Sequence, residues 1–170
     1  MTLLAQSPLI LLRKLRPDDL DAFLAYRSDA QVARYQNWEK MSRDRALGFL
    51  IHAESDPVFT PGAWSQIAIA NPADTLLGDM GLKLSENRTE VELGITLARA
   101  HWGKGLAKTA MRLCIDLVWS DTPAQAIRCW GDQRNTRSVA LMRSLGMTHL
   151  GTETTDVVEE AFILHRPEAG

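Results

Sequence analysis

Residues 91–111 read VELGITLARAHWGKGLAKTAM. An apolar period-two run passes through two glycines that bracket a lysine and continues directly into an amphipathic helical pattern. Backbone N–H groups in the first turn of a helix have no intrahelical acceptor and sit at the positive end of the macrodipole, so a glycine-rich entry lets an anion approach them closely. Gly103 and Gly105 remove blocking side chains, and Lys104 and Lys108 add positive charge. The segment predicts a phosphate-binding strand-to-helix junction.

Spacing decides which phosphate site it is. A P-loop requires G-x-x-x-x-G-K-[ST], and setting its Lys-Thr on Lys108-Thr109 would need glycine at positions occupied by Trp102 and Ala107. A dinucleotide fingerprint begun at Gly103 puts Lys108 in place of its third glycine and arrives too late in the chain. The third pattern, [Q/R]-x-x-G-x-[G/A], takes Gly105 and Ala107 with Trp102 in its first slot. Here the segment resembles the acetyl-CoA pyrophosphate loop of the GNAT superfamily of N-acetyltransferases. The W-G-K-G form is similar to the branch that acetylates N-terminal amines of ribosomal proteins. Residues 12–35, LRKLRPDDLDAFLAYRSDAQVARY, resemble that branch's opening, and Asn135-Thr136-Arg137-Ser138 with Leu145-Gly146-Met147 resembles its closing motifs.

A chain of 170 residues is expected to form a single domain, 1–170, that buries roughly 70% of its unfolded surface. Its 45% hydrophobic and 24% charged residues are ordinary globular values. Cys114 and Cys129 lie in apolar periodic segments without metal-ligand spacing, and the four histidines are scattered, so neither a metal site nor a hydrolytic triad is expected. The N-terminal run lacks a basic leader and is broken by Gln6, Ser7 and Pro8, and no stretch has membrane-spanning length; a cytoplasmic protein is expected. Net charge is −2, which argues against nucleic acid or an anionic membrane as partner. Its distribution is uneven. Residues 99–143 hold eight basic and three acidic side chains, a local +5, while the remaining 11 basic and 18 acidic give −7. That division suits a polyanionic cofactor and a cationic acceptor, and equally two solvated helix faces.

The pattern predicts strands over residues 9–15, 64–70, 75–84, 90–97, 126–131, 147–153 and 156–164. Helices are predicted from Pro17 through Arg27, over about 30–35, from a Ser42 N-cap to about 55, over 105–119 and over 135–145, the last ended by Gly146. The fold class expected is α/β (α+β): a mixed, mostly antiparallel six- to seven-stranded sheet with helices on both faces. The strand–helix–strand unit 90–131 is a right-handed crossover, so the fourth and fifth predicted strands run parallel. Alternation puts Val91, Leu93, Ile95 and Leu97 on one face and Glu90, Glu92, Gly94 and Thr96 on the other, with Gly94 suggesting a bulge.

The resemblance implies an acyl-CoA N-acyltransferase fold in which those two parallel strands splay to admit pantetheine. It implies that the amides of Ile95 and Leu97 hold the thioester carbonyl and pantetheine and that Trp102, Gly103, Lys104, Gly105, Leu106, Ala107 and Lys108 form the pyrophosphate loop. Asn135 and Ser138 are carried over as cofactor contacts; Asn135 is also a helix cap. The expected co-substrate is acetyl-CoA, without a metal, and the acceptor a peptide or small-molecule amine, in a monomer or homodimer. Glu92 is the candidate base, followed by Glu90 and Asp132, each equally readable as a structural carboxylate. Tyr35, Trp38 and Glu39 border the acceptor pocket in related proteins. The tyrosine that many GNAT enzymes carry seven residues after the asparagine is Met142 here, which removes the usual acid. A non-catalytic acyl-CoA sensor and a nucleotide-binding domain stand as alternatives to an acetyltransferase.

Overall fold

In the computed structural model, which describes all 170 residues, eight strands form one continuous sheet in the order β1-β2-β3-β4-β5-β6-β8-β7. The strands are β1 (Leu3–Gln6), β2 (Leu11–Lys14), β3 (Trp64–Ala70), β4 (Leu76–Leu84), β5 (Glu90–Leu97), β6 (Ala126–Asp132), β7 (Thr148–Thr154) and β8 (Val158–His165). Every neighbouring pair is antiparallel except β5–β6. The helices are α1 (Leu20–Arg27), α2 (Ala30–Ala33), α3 (Arg43–Ser55), α4 (Leu106–Asp121) and α5 (Thr136–Ser144). No helix is long and apolar enough to cross a membrane.

The expectation of six or seven strands is corrected to eight. The run predicted as a strand over 9–15 is β2, and the additional strand is β1, which precedes it and pairs with it in a hairpin because Ser7 turns the chain: its N–H donates to the Ile10 carbonyl at 2.8 Å, and its Oγ accepts from the amides of Leu9 and Ile10. The parallel pair expected as the fourth and fifth strands is therefore β5–β6. A meander would set β7 beside β6, whereas β8 lies between them and leaves β7 at the edge. The bulge expected at Gly94 is absent, since β4–β5 pairing runs without a shift from Gly78↔Leu97 to Leu84↔Val91.

The two faces of the sheet are covered by different helices. Val91, Leu93, Leu97, Ile127 and Phe162 join Met111, Cys114 and Val118 of α4 in the larger core. On the other face Leu15, Phe23, Tyr26, Leu50 and Ala68 bind α1–α3 to β3 and β4 in a smaller core. That second group is anchored by ions. Arg13, fully buried, donates to both carboxylate oxygens of Asp19 at 2.8 Å and to Asp74 at 2.6 Å. Because α1–α3 cover β3 and β4, the same face over β5, β6 and β8 carries half-exposed polar residues.

Gly78 fixes the end of β5. A Cβ there would stand 2.1 Å from the Thr96 carbonyl oxygen and 2.9 Å from Leu97 Cα. Gly78→Ala is expected to cost about 3 kcal/mol, since backbone rather than a flexible side chain must yield. A fall in the urea midpoint at unchanged m-value checks it.

Candidate active site

The site begins where β5 and β6 part. Their parallel ladder holds only Glu90↔Ala126, Val91↔Ile127 and Glu92↔Arg128, although the strands run on to Leu97 and Asp132. Ala98 N–H donates to Leu77 and Ser85 N–H to the Glu90 carbonyl, each at 2.9 Å across the β4–β5 edge. Backbone groups alternate sides along a strand, so even-numbered residues of β5 face β4 and odd-numbered ones face β6. The N–H groups of Ile95 and Leu97 therefore point into the splay, where no strand pairs them. The splay that the resemblance implied is present.

A 3-10 turn (Arg99–His101) leads from β5 to the loop and is tied to α2 by an Arg99–Asp29 ion pair at 3.1 Å. Trp102 Nε1–H donates to the Leu97 carbonyl at 2.9 Å, roping the loop to the strand end. Gly103 and Gly105 have φ of 72° and 75°, a left-handed conformation that other residues adopt at a cost. The space in front of both is open, with nothing within 4 Å of an added Cβ. Thr109 N–H is bonded to the Gly105 carbonyl at 3.2 Å, so the amides of Leu106, Ala107 and Lys108 are the orphan donors of α4. Neither Lys104 nor Lys108 is in an ion pair. Free amides in the splay, free amides at the helix start and two unpaired lysines fit a pyrophosphate carried on an extended arm.

The opposite wall is α5. Asn135 Oδ1 accepts from Ser138 N–H at 3.2 Å, so this side chain caps its helix. Ser138 Oγ and Met142 Cε would each lie 3.0 Å from a Cβ on Gly131, which shows how tightly α5 packs on β6. Met142 is buried there in the larger core. Arg137, on the first turn of α5, reaches back across the gap and places its guanidinium 4.1 Å from the centre of the Trp102 ring.

At the foot of the splay, on the face that α1–α3 leave open, lies a cleft of about 350 Å³ lined by Lys83, Glu86, Glu90, Glu92, Arg128 and Trp130. Glu92 is half-buried and in no ion pair. Burial and the neighbouring Glu159 raise its pKa, against the pull of Lys83. Glu90 pairs with Arg128 at 2.9 Å. Asp132 is held by Arg134, with contacts of 2.6 and 3.0 Å that lower its pKa. Of the three candidate bases, Glu92 alone is unpaired. Trp130 Nε1–H donates to Glu153 on β7 at 2.9 Å, which fixes the indole beside the cleft. The sequence reading missed Trp130 and Arg128, though alternation along 126–132 puts both on the polar face opposite Ile127 and Cys129.

Of the residues expected at the acceptor, Tyr35 is flanked by Arg34 and Arg134, with guanidinium carbons at 5.1 and 5.7 Å from its ring, and Glu39 is exposed. The Trp38 ring centre lies 4.3 Å from the guanidinium carbon of Arg27, which is also 4.6 Å from the centre of the Phe23 ring. Arg27 in turn pairs with Asp79, buried to 1% exposure, which also accepts from the Tyr26 hydroxyl and from Gln66 at 2.7 Å. Trp38 is thus a lid over a buried ion pair and does not line the cleft.

Residues 10–148 match the acetyltransferase (GNAT) domain family. The chain belongs to the GNAT acetyltransferase family. It is 28% identical over 141 residues to the uncharacterized N-acetyltransferase p20 of Bacillus licheniformis, covering 82% of this chain and 79% of the relative. Its fold is that of a GNAT-family acetyltransferase from Bacillus anthracis, with a TM-score of 0.81 at 18% identity over 97% of this chain and 98% of the other. It is also that of the spermidine N-acetyltransferase of Vibrio cholerae in complex with CoA and spermine, with a TM-score of 0.79 at 18% identity over 94% and 96%. Acetyl-CoA is the co-substrate of this GNAT enzyme, and the loop offers the free amides and unpaired lysines that a pyrophosphate would require. Gly105→Glu, which sets a carboxylate in that opening, is expected to abolish acetyl-CoA binding in calorimetry while the wild type binds.

Proposed function

We propose that this protein transfers the acetyl group of acetyl-CoA to a small primary amine by direct attack in a ternary complex. The observation that carries the proposal is Glu92: a half-buried, unpaired carboxylate between the cofactor strand and the cleft. The thioester supplies an activated acetyl group on a thiol leaving group of reference pKa about 8.5. The chain's own groups do the rest. The amides of Gly103 to Lys108 and the two lysines hold the pyrophosphate, with Asn135 and Ser138 on the facing wall. Ile95 and Leu97 N–H groups orient pantetheine and donate to the carbonyl oxygen, where negative charge develops as the amine adds. Glu92 takes the proton from the attacking nitrogen, its raised pKa bringing it nearer neutral pH, where a base is most effective. Met142 offers no proton, so the departing thiolate takes one from solvent.

The cleft also favours an acceptor class. Glu86, Glu90 and Glu92, with Glu159 beside Glu92, set four carboxylates against Lys83 and Arg128, and Trp130 adds an aromatic face. An amine that keeps a second positive charge matches this lining, and the Vibrio protein of the same fold is a spermidine N-acetyltransferase in complex with spermine. The volume lies in the range of small-molecule sites. A protein N-terminal amine is the second reading, favoured by the W-G-K-G loop. Free-thiol release across a panel of diamines, amino alcohols of equal length and short peptides decides between them. Acetyl-CoA binding without turnover on any amine would favour a sensor.

The pH dependence follows from Glu92. Its conjugate base is needed, so kcat is expected to fall as pH drops through a pKa above the ordinary glutamate range. Glu92→Gln should lower kcat by about 10²- to 10⁴-fold and erase that acidic limb. A raised folded-state carboxyl pKa means that ionisation opposes folding above the unfolded pKa. Glu92→Gln is therefore expected to melt higher than wild type at neutral pH and to lose the advantage as pH falls below the glutamate range, read by thermal scans at several pH values.

A further inference from the structure

The loop and α5 belong to opposite walls of the splay, yet one contact joins them. Arg137 leaves the first turn of α5 and stacks on Trp102, the residue just before Gly103 of the loop. Arg137 is exposed and in no ion pair; the charged groups of the loop and the first turn of α4, Lys104 and Lys108, are unpaired cations too. A planar guanidinium stacked on an indole keeps its edge N–H donors free for a phosphate, which a lysine in the same place could not present in a fixed fork. Trp102 is itself fixed, its indole N–H bonded to Leu97. The ring is a platform on the cofactor strand, and the cation on it comes from the other wall.

We infer that Arg137 is a cofactor-binding residue that closes over the pyrophosphate from the α5 side, using Trp102 as its platform. This rests on the acetyl-CoA reading of the loop. It gives the anion a donor from each wall, so that binding pulls the walls together at the mouth of the splay. The uneven charge of the chain then has a specific meaning at one residue: Arg137 is a cation kept without a carboxylate because its partner arrives with the cofactor.

Calorimetry on wild type, Arg137→Gln and Arg137→Lys tests it, with acetyl-CoA and dephospho-acetyl-CoA as ligands and phosphate-free S-acetyl-pantetheine as a competitor. Arg137→Gln is expected to weaken both nucleotide ligands by about 10- to 100-fold, the size of a lost charge-assisted hydrogen bond, and to leave the competitor's inhibition constant unchanged. Arg137→Lys should recover only part of the affinity and flatten less with salt than Arg137→Gln. Unchanged acetyl-CoA affinity in Arg137→Gln overturns the inference. So does equal weakening of S-acetyl-pantetheine, which would mark a merely structural role, and an effect that vanishes with dephospho-acetyl-CoA would move the contact to the 3′-phosphate and overturn the pyrophosphate assignment. A wild type that fails to bind acetyl-CoA at millimolar concentration overturns the loop reading itself, an outcome separable from the others because it precedes any variant. Matching melting temperatures confirm that the variants fold.

Discussion

The parting of β5 from β6 after Glu92↔Arg128 is the constraint on which the molecule is organised. Two parallel strands that stop pairing midway leave N–H and C=O groups without partners, which a folded chain normally avoids. Each strand is therefore secured on its outer side. β5 keeps an unbroken ladder to β4 up to Gly78↔Leu97, where only a glycine lets the backbones approach so closely, and Trp102 ties its last carbonyl to the loop. β6 keeps its ladder to β8 up to Asp132↔Glu159, and α5 is seated on Gly131. The gap is thus a property of two well-anchored walls. A ligand that satisfies those groups binds the folded state alone and stabilises it.

A second layer of organisation is ionic. Arg13 with Asp19 and Asp74, and Arg27 with Asp79, place α1–α3 over β3 and β4 and leave the same face of β5, β6 and β8 uncovered. Burying such pairs gains little net stability relative to apolar packing, but breaking one strands a charge in the interior. Their effect here is positional. Trp38 is held on Arg27 in the helical layer and Tyr35 against Arg34 and Arg134, and the cleft opens beyond the edge of that layer.

Much of this was legible in the linear chain, and the part that was not shares one physical feature. The loop, the caps at Ser42 and Asn135 and the helix end at Gly146 are local backbone chemistry, written within four residues. The crossover between β5 and β6 follows from a strand–helix–strand pattern and the handedness it imposes. The first hairpin escaped because Ser7 and Pro8 were read as a break in an apolar run rather than as a turn. Arg128 and Trp130 were readable from alternation alone. Arg27–Asp79, 52 residues apart, leaves no local trace, and neither does the insertion of β8 between β6 and β7, where sequence order favours the wrong neighbour.

The same distinction separates fold from chemistry in the site. Met142 has the spacing of a catalytic acid and the environment of a core residue, packed on Gly131 where a proton donor would have no route to solvent. Cys129, nearby on β6, is pushed by burial to a pKa of about 12 and is inert as a nucleophile. Glu92 differs from both. It keeps a carboxylate half out of water with no cation in contact, an arrangement that works against folding and that packing does not require. Among the candidate bases around the splay it is the one without an ion-pair partner, and the proposal that it takes the amine's proton rests on that and on the open face beside it.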